Sequence, residues 1–175
     1  MGYDRNKVHY VVVTGILVHP VTKKFLITKR ADWEKAFPGM WTVPGGKLEV
    51  LDYVLNEKST GSHWYNVLED MLGREIKEEV GLEIKNIGYV TSLVYIRPDK
   101  IPCLIISLYA EPVGDNIRLC NALTEYAWVD TEQAKNYNLI EGIYEELVIL
   151  DNFLKKGEGM VWKKGLDLKS DEGLV

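Results

Sequence analysis

The sequence predicts an α/β protein in which a mixed β-sheet is flanked by helices. Three observations lead there. Short runs rich in β-branched and aromatic residues recur along the chain, as strands do. Two longer stretches instead repeat apolar residues every three or four positions, the period of a half-buried helix. The chain has 175 residues, of which 46% are hydrophobic and 27% charged, enough for one domain with a real core.

The elements follow in order. VHYVVVTGILVH (8–19) reads as a strand interrupted at Gly15. Pro20 and Thr22 mark a turn into KFLITKR (24–30), a second strand in a hairpin relation to the first. ADWEKAFPGM (31–40) has loop chemistry, and WTVPGG (41–46) reads as a short strand ending in a Gly-Gly turn. No period runs through 47–62, where KSTGS (58–62) is loop-like.

From about Trp64 the pattern changes. Leu68, Leu72, Ile76 and Val80 recur at i, i+4 with Met71 beside them, and Gly81 follows where a helix ends. LEIKNIGYVTSLVYI (82–96), PCLIISLYAEP (102–112) and TEYAWVD (124–130) read as strands. Asp130 with Gln133 matches a capping box for a short helix. Ile140, Ile143, Tyr144, Leu147, Leu150 and Leu154 mark a longer helix over roughly 140–155. No internal repeat breaks the chain, so one domain is expected over 1–156, with a Gly- and Lys-rich tail over 157–175.

Composition removes several function classes. No apolar run approaches the roughly 18 residues that span a bilayer, and the N-terminus lacks the pattern of a secretory signal. Asn6 stands where a myristoylation motif needs Ser or Thr. A cytoplasmic protein is expected, with no membrane partner. The net charge is −5 with Lys and Arg scattered, which argues against a long nucleic acid and leaves room for a small phosphorylated ligand. Cys103 and Cys120 form no CxxC, and His9, His19 and His63 form no HExxH, so neither a disulfide framework nor a zinc site is indicated. A metal here would have to be held by oxygen ligands.

Residues 73–82, GREIKEEVGL, are the most informative stretch. Glu75, Glu78 and Glu79 fall at i, i+3 and i+4 and crowd one helix face. Like charges at that spacing destabilise a helix, and they stand in its C-terminal half, where the dipole disfavours anions. A hard divalent cation such as Mg²⁺ or Mn²⁺ reverses the sign, because it takes oxygen ligands. A solvated acidic surface is the plain alternative. Upstream, WTVPGGKLE (41–49) ends a strand at Pro44-Gly45-Gly46, where two glycines let the backbone come close to a ligand, and Lys47 follows directly.

Together these stretches resemble the signature of the Nudix hydrolases, G-x5-E-x7-R-E-U-x-E-E-x-G-U, with U a bulky aliphatic residue. Arg74, Glu75, Ile76, Glu78, Glu79, Gly81 and Leu82 match its second half, and Gly46 opens its first. Trp41, Pro44, Gly45, Lys47 and Glu49 are also typical of the family, and FLITKR and TEYAWVD resemble its flanking strands. Two departures stand out. Asp52 occupies the place of the first signature glutamate, and Arg74 stands 28 positions after Gly46, twice the signature's spacing. The extra length falls within about 50–64, before the helix body, and so leaves the mutual geometry of Glu75, Glu78 and Glu79 intact.

The resemblance implies an α/β/α sandwich and Mg²⁺- or Mn²⁺-dependent hydrolysis of a diphosphate linkage in a small-molecule nucleotide. It implies Glu78, Glu79 and the Gly45 carbonyl as metal ligands, and Glu75 as a further ligand or the general base. It implies Arg74 as the residue that orients Glu75, although a simple ion pair with Glu78 would use the same spacing. Glu125, on the late strand, is the rival base, with Glu111 a lesser one. Arg30, Lys47 and Gly46 are candidate substrate contacts. Tyr53, Trp64 and Tyr65 in the insertion could stack on a base or simply pack the extra loop. The expected substrate is a nucleoside triphosphate, cut to release a nucleoside monophosphate. ADP-ribose or a nucleotide sugar is the alternative, suggested by Pro98 at 16 positions past Leu82. A nucleotide-sensing domain without catalysis is a second alternative, and a plain interaction domain with an acidic helix a third. A homodimer is compatible with all of these.

Overall fold

The computed structural model describes residues 7–156. The expected tail, 157–175, lies outside the described residues. The elements are β1 (Tyr10–Leu17), β2 (Phe25–Arg30), β3 (Trp41–Thr42), β4 (Gly45–Lys47), α1 (Leu51–Val54), α2 (Val67–Val80), β5 (Glu83–Ile96), β6 (Pro102–Val113), β7 (Leu123–Val129), α3 (Thr131–Ala134) and α4 (Ile143–Lys156). They form two sheets, β4-β1-β6-β5 and β3-β2-β7. β1 runs parallel to β6, and every other ladder is antiparallel. The expected mixed sheet is therefore present, divided in two.

Alternation along the strands feeds two cores. Val13, Leu17 and Leu26 meet Met71, Leu72, Ile76 and Val80 of α2. On the other face Ile16, Phe25 and Ile27 meet Ile143, Leu147 and Leu150 of α4. The sheets thus lie between α2 and α4. Burial decides the contest on α2. Its four buried side chains contribute roughly 1.5–3 kcal/mol each, against a few tenths for each repulsive glutamate pair. Gly81 closes that helix at φ +73, with its N–H bonded to the Lys77 carbonyl.

Three sequence expectations change. β1 runs through Gly15 without a break, because a Cβ there would lie 2.7 Å from Leu72 Cδ1, so the glycine serves helix packing. β1 and β2 do not form a ladder but belong to different sheets, joined at the single bridge Val18–Phe25. WTVPGGK is not one strand: Trp41–Thr42 pairs with β2, while Gly45–Lys47 crosses to β1. The capping box is as expected, with Asp130 and Gln133 exchanging side chain-to-backbone bonds. Among the described residues no helix is long and apolar enough to cross a membrane.

Candidate active site

β4 and the C-terminal half of α2 come together edge to face. The β1–β4 register pairs Val13 with Gly46 and Thr14 with Gly45, so Gly46 turns towards α2. A Cβ at Gly46 would lie 2.1 Å from Glu75 Oε1, so a larger residue would push that carboxylate from its place. At Gly45 a Cβ would lie 2.3 Å from the Val13 carbonyl oxygen. The ladder bonds Gly15 N–H to Pro44 carbonyl and Leu48 N–H to Val11 carbonyl are in phase with Gly46, not with Gly45. The Gly45 N–H is therefore free of β1, and it donates to Glu79 Oε2 at 3.0 Å.

Arg74 organises the rest. Its Nε donates to Asp52 Oδ1 at 2.7 Å, its Nη2 to Glu75 Oε1 at 2.9 Å and its Nη1 to Glu78 Oε2 at 2.9 Å. The Arg74–Glu75 bond expected from the motif is present, and so is the i,i+4 pair with Glu78. Asp52 is held from its other side by the Glu49 N–H, at 2.7 Å. The short helix α1 in the insertion thus delivers Asp52 to the arginine across the lengthened spacing. The rest of the insertion folds on itself: Trp64 Nε1 donates to the Asn56 carbonyl at 3.1 Å, and the Tyr53 and Trp64 rings lie 5.4 Å apart.

Burial pushes the Glu79 carboxyl up to about 7, against the pull of the Gly45 N–H and with a further push from Glu75. Burial also raises Glu75, with Arg74 opposing. Both groups are thus carboxylates whose charge the protein alone does not fully compensate. The donors are all oxygen, the chemistry of a Mg²⁺ or Mn²⁺ site. The expected cage is nonetheless not assembled: among the described residues no three Asp, Glu, His or Cys side chains are gathered so as to hold a metal ion. The reason lies in the bonds above, since Arg74 draws Glu75 and Glu78 aside and the Gly45 N–H draws Glu79. The donor set fits a hard cation in chemistry, because Glu75, Glu78 and Glu79 each use one carboxylate oxygen in these bonds and keep the other for a cation.

Behind β4, on the α4 side of the sheet, lies a groove of about 670 Å³. Val12, Cys103 and Ile105 line it together with Phe37 and Tyr95; Lys35 and Lys47 give it positive charge, and Arg97 is paired at 2.7 Å with Asp99, which also lines it. Lys47 Nζ sits 5.4 Å and Arg97 Cζ 5.1 Å from the Tyr10 ring centroid. Of these residues the motif indicates only Lys47. The others are scattered in sequence: Lys35 and Phe37 come from the loop between β2 and β3, and the rest are brought together by the β1–β6 and β5–β6 ladders.

Two expected site residues are engaged by protein partners. Arg30 spends its donors on its own loop, with Nε to the Ala36 carbonyl at 2.7 Å and Nη2 to Glu34 Oε2 at 2.9 Å. Glu125 pairs with Lys29 Nζ at 2.7 Å. Lys29–Glu125 shares its face with Ile27–Ala127 and Phe25–Val129, which sets Glu125 on the α4 side, away from the glutamates of α2, whereas Arg30 pairs with Leu123 of the α2-side core and its charge pulls down on the Glu79 carboxyl. Glu111 accepts from Asn86 Nδ2 at 3.1 Å.

The geometry now has a family context. The model of the NUDIX domain matches residues 9–148. The chain belongs to the Nudix family. It is 24% identical over 125 residues to the nucleoside triphosphatase NudI of Klebsiella pneumoniae, covering 66% of this chain and 79% of that protein. Its fold is similar to that of a MutT Nudix hydrolase from Burkholderia pseudomallei, with a TM-score of 0.64 at 17% identity over 82% of this chain and 99% of the other. It is also similar to the Nudix domain of Shewanella oneidensis NrtR, solved with ADP ribose, with a TM-score of 0.65 at 14% identity over 87% and 94% of the two chains. As a Nudix hydrolase the protein acts on pyrophosphate bonds.

Proposed function

We propose that the protein is a Mg²⁺- or Mn²⁺-dependent nucleoside triphosphate pyrophosphatase that releases a nucleoside monophosphate. The observation that carries this reading is the Gly45–Glu79 contact at the thin edge of the sheet. There two glycines separate the carboxylates of α2 from a cationic groove of nucleotide size. A phosphate chain crossing β4 would meet Lys47 on one side and the glutamates on the other. Similarity to a nucleoside triphosphatase supports the substrate class.

Glu78, Glu79 and the Gly45 carbonyl would hold the cation, with Glu75 beside them. When bound, the ion supplies charge neutralisation at the bridging and leaving oxygens of the diphosphate. The chain's own residues do the rest. Glu75, raised by burial and held at one oxygen by Arg74, takes a proton from the attacking water. Arg74 keeps that carboxylate at a fixed angle, with Asp52 as its anchor. Lys47 steadies the phosphates, and Gly46 leaves the approach open.

A second reading, hydrolysis of ADP-ribose or a nucleotide sugar, is favoured by one observation. Pro98 lines the groove beside Arg97 and Asp99. The test is a panel of nucleoside triphosphates, ADP-ribose, nucleotide sugars and dinucleoside polyphosphates, with products separated by mass. Monophosphate release from a triphosphate at the highest kcat/KM is expected. A strong preference for ADP-ribose over every triphosphate would overturn the first reading in favour of the second.

A further inference from the structure

Phe37 holds a backbone conformation that its residue type avoids. Its φ is +53, in the left-handed region, where a bulky side chain is an outlier. It also precedes Pro38, and a following proline drives a residue towards the extended region. Such strain persists only where the surroundings over-determine it, and it gathers at ligand clamps. Here the surroundings are explicit. Arg30 Nε grips the Ala36 carbonyl at 2.7 Å and its Nη2 grips Glu34 at 2.9 Å, bracing the loop just before Phe37. Just after it, Met40 N–H donates to the Phe37 carbonyl at 3.3 Å, closing a Phe-Pro-Gly-Met turn with Gly39 at φ +67.

The strain is not used to bury the ring. Phe37 stays 37% exposed, and it faces Tyr95, itself 36% exposed. The ring centroids lie 6.0 Å apart at an interplanar angle of 52°. Both rings belong to the groove whose walls carry Lys35, Lys47 and Arg97, in a chain whose net charge is −5. Two aromatic edges over two lysines, Lys35 and Lys47, with Arg97 matched by Asp99, suit a ligand that is planar at one end and anionic at the other. Lys47 stands on β4, two residues from Gly45, and so lies on the side that leads to Glu79.

We infer that Phe37 and Tyr95 are the jaws that hold the heterocyclic base of the substrate, with Arg30 as the brace that positions Phe37. The assignment rests on the nucleotide-hydrolase reading above and adds the base-binding residues to it. A planar base between two rings needs near-parallel planes about 7 Å apart, two layers at carbon–carbon contact distance, so the jaws must part by about 1 Å and turn out of their 52° tilt. Rotation of the side chains provides that without moving the braced loop. Stacking reads the π-face that every base has, so the jaws demand a base and tolerate its identity.

The test measures equilibrium binding of α,β-methylene analogues of ATP, GTP, CTP and UTP, which resist cleavage, and of inorganic tripolyphosphate, which has no base. Phe37→Gly is the informative variant, because glycine accepts φ +53 freely and removes only the ring. The expected result is a melting temperature no lower than wild type and a Kd for all four nucleotides raised about tenfold, with tripolyphosphate unchanged. Tyr95→Leu should weaken the nucleotides in the same way, and Phe37→Tyr should restore them. Unchanged nucleotide affinity in both ring-removing variants would overturn the inference. So would an equal loss on tripolyphosphate, which would make the rings mere shapers of the loop. Wild type that bound nucleotides no better than tripolyphosphate would also refute the jaws, whatever it hydrolysed. Tight, ring-dependent binding without triphosphate cleavage would instead sink the proposed reaction and leave the jaws standing.

Discussion

Asp52 and Arg74, 22 positions apart, meet at 2.7 Å through Oδ1 and Nε, and the Asp52 side chain is only 4% exposed there. The contact joins the insertion to the acidic helix and leaves the other guanidinium nitrogens for Glu75 and Glu78. Asp52→Ala should therefore lower stability by about 1–2 kcal/mol, the worth of a charged hydrogen bond discounted for Arg74's exposure. It should lower kcat by roughly tenfold, since Arg74 keeps its bond to Glu75 but loses its anchor. Urea denaturation and steady-state kinetics on the same preparation check this. A wild-type kcat would show that the anchor is dispensable.

Glu79 offers opposite effects on stability and activity. Burial raises its carboxyl to about 7, so above that pH the folded state holds a charge it poorly solvates. Glu79→Gln removes the charge with little change in volume, and should leave the melting temperature at pH 8 equal or higher. It should also cost 10²–10³ in kcat, the scale of losing one charge-stabilising group at a reacting centre. Added Mg²⁺ should raise the wild-type melting temperature more than the variant's, and excess chelator should abolish wild-type turnover, with zinc failing to restore it. Near wild-type turnover by Glu79→Gln, or full turnover in excess chelator, would remove Glu79 from the proposed cation site.

Glu125 gives a control on the assignment of the base. It is 55% exposed and tied to Lys29 on the α4 side of the sheet. Glu125→Gln should change kcat by less than about threefold, whereas Glu75→Gln should lose 10²-fold or more. A loss at Glu125 equal to that at Glu75 would move the base to the late strand.

What could be read from the sequence was whatever rests on local spacing. The i,i+4 apolar repeat of α2, its Gly81 terminus and the Asp130–Gln133 capping box depend on near neighbours, and all three are present. The glutamates follow from the same spacing. Partner choice was less legible. Trp41–Thr42 and Gly45–Lys47 are too short for propensity to assign, and only their partners, β2 and β1, separate them into two sheets. Arg30 is a candidate phosphate contact in sequence, and nothing local reveals the Ala36 carbonyl as its acceptor. Asp52 was ambiguous for a related reason: the longer insertion hides how α1 returns it to Arg74. The groove was out of reach, since Lys35, Arg97 and Tyr95 come together only through the fold, although Phe37 before Pro38-Gly39 marks a tight turn.

Glu146 supplies a pH dependence separate from the proposed chemistry. It stands on the sheet-facing side of α4, only 4% exposed, and its Oε2 has no hydrogen-bond partner in the structure. Burial pushes the carboxyl up to about 7, with a smaller push from Glu145, and the buried Ser107 hydroxyl likewise has no hydrogen-bond partner. The folded pKa therefore lies above the ordinary value of 4.5. Between those two values the folded chain keeps a proton that the unfolded chain has released, so this group's contribution to stability falls as pH rises from about 4.5 to about 7 and then levels off. Glu146→Gln stays neutral at every pH and should lose this part of the slope. It should match wild type near pH 4.5 and exceed it by up to roughly 3 kcal/mol at pH 8, the scale of raising a carboxyl from its ordinary value to about 7. Urea denaturation at the two pH values measures the difference. A variant equally or less stable than wild type at pH 8 would mean that the Glu146 carboxylate is compensated in solution, and that its burial costs the fold nothing.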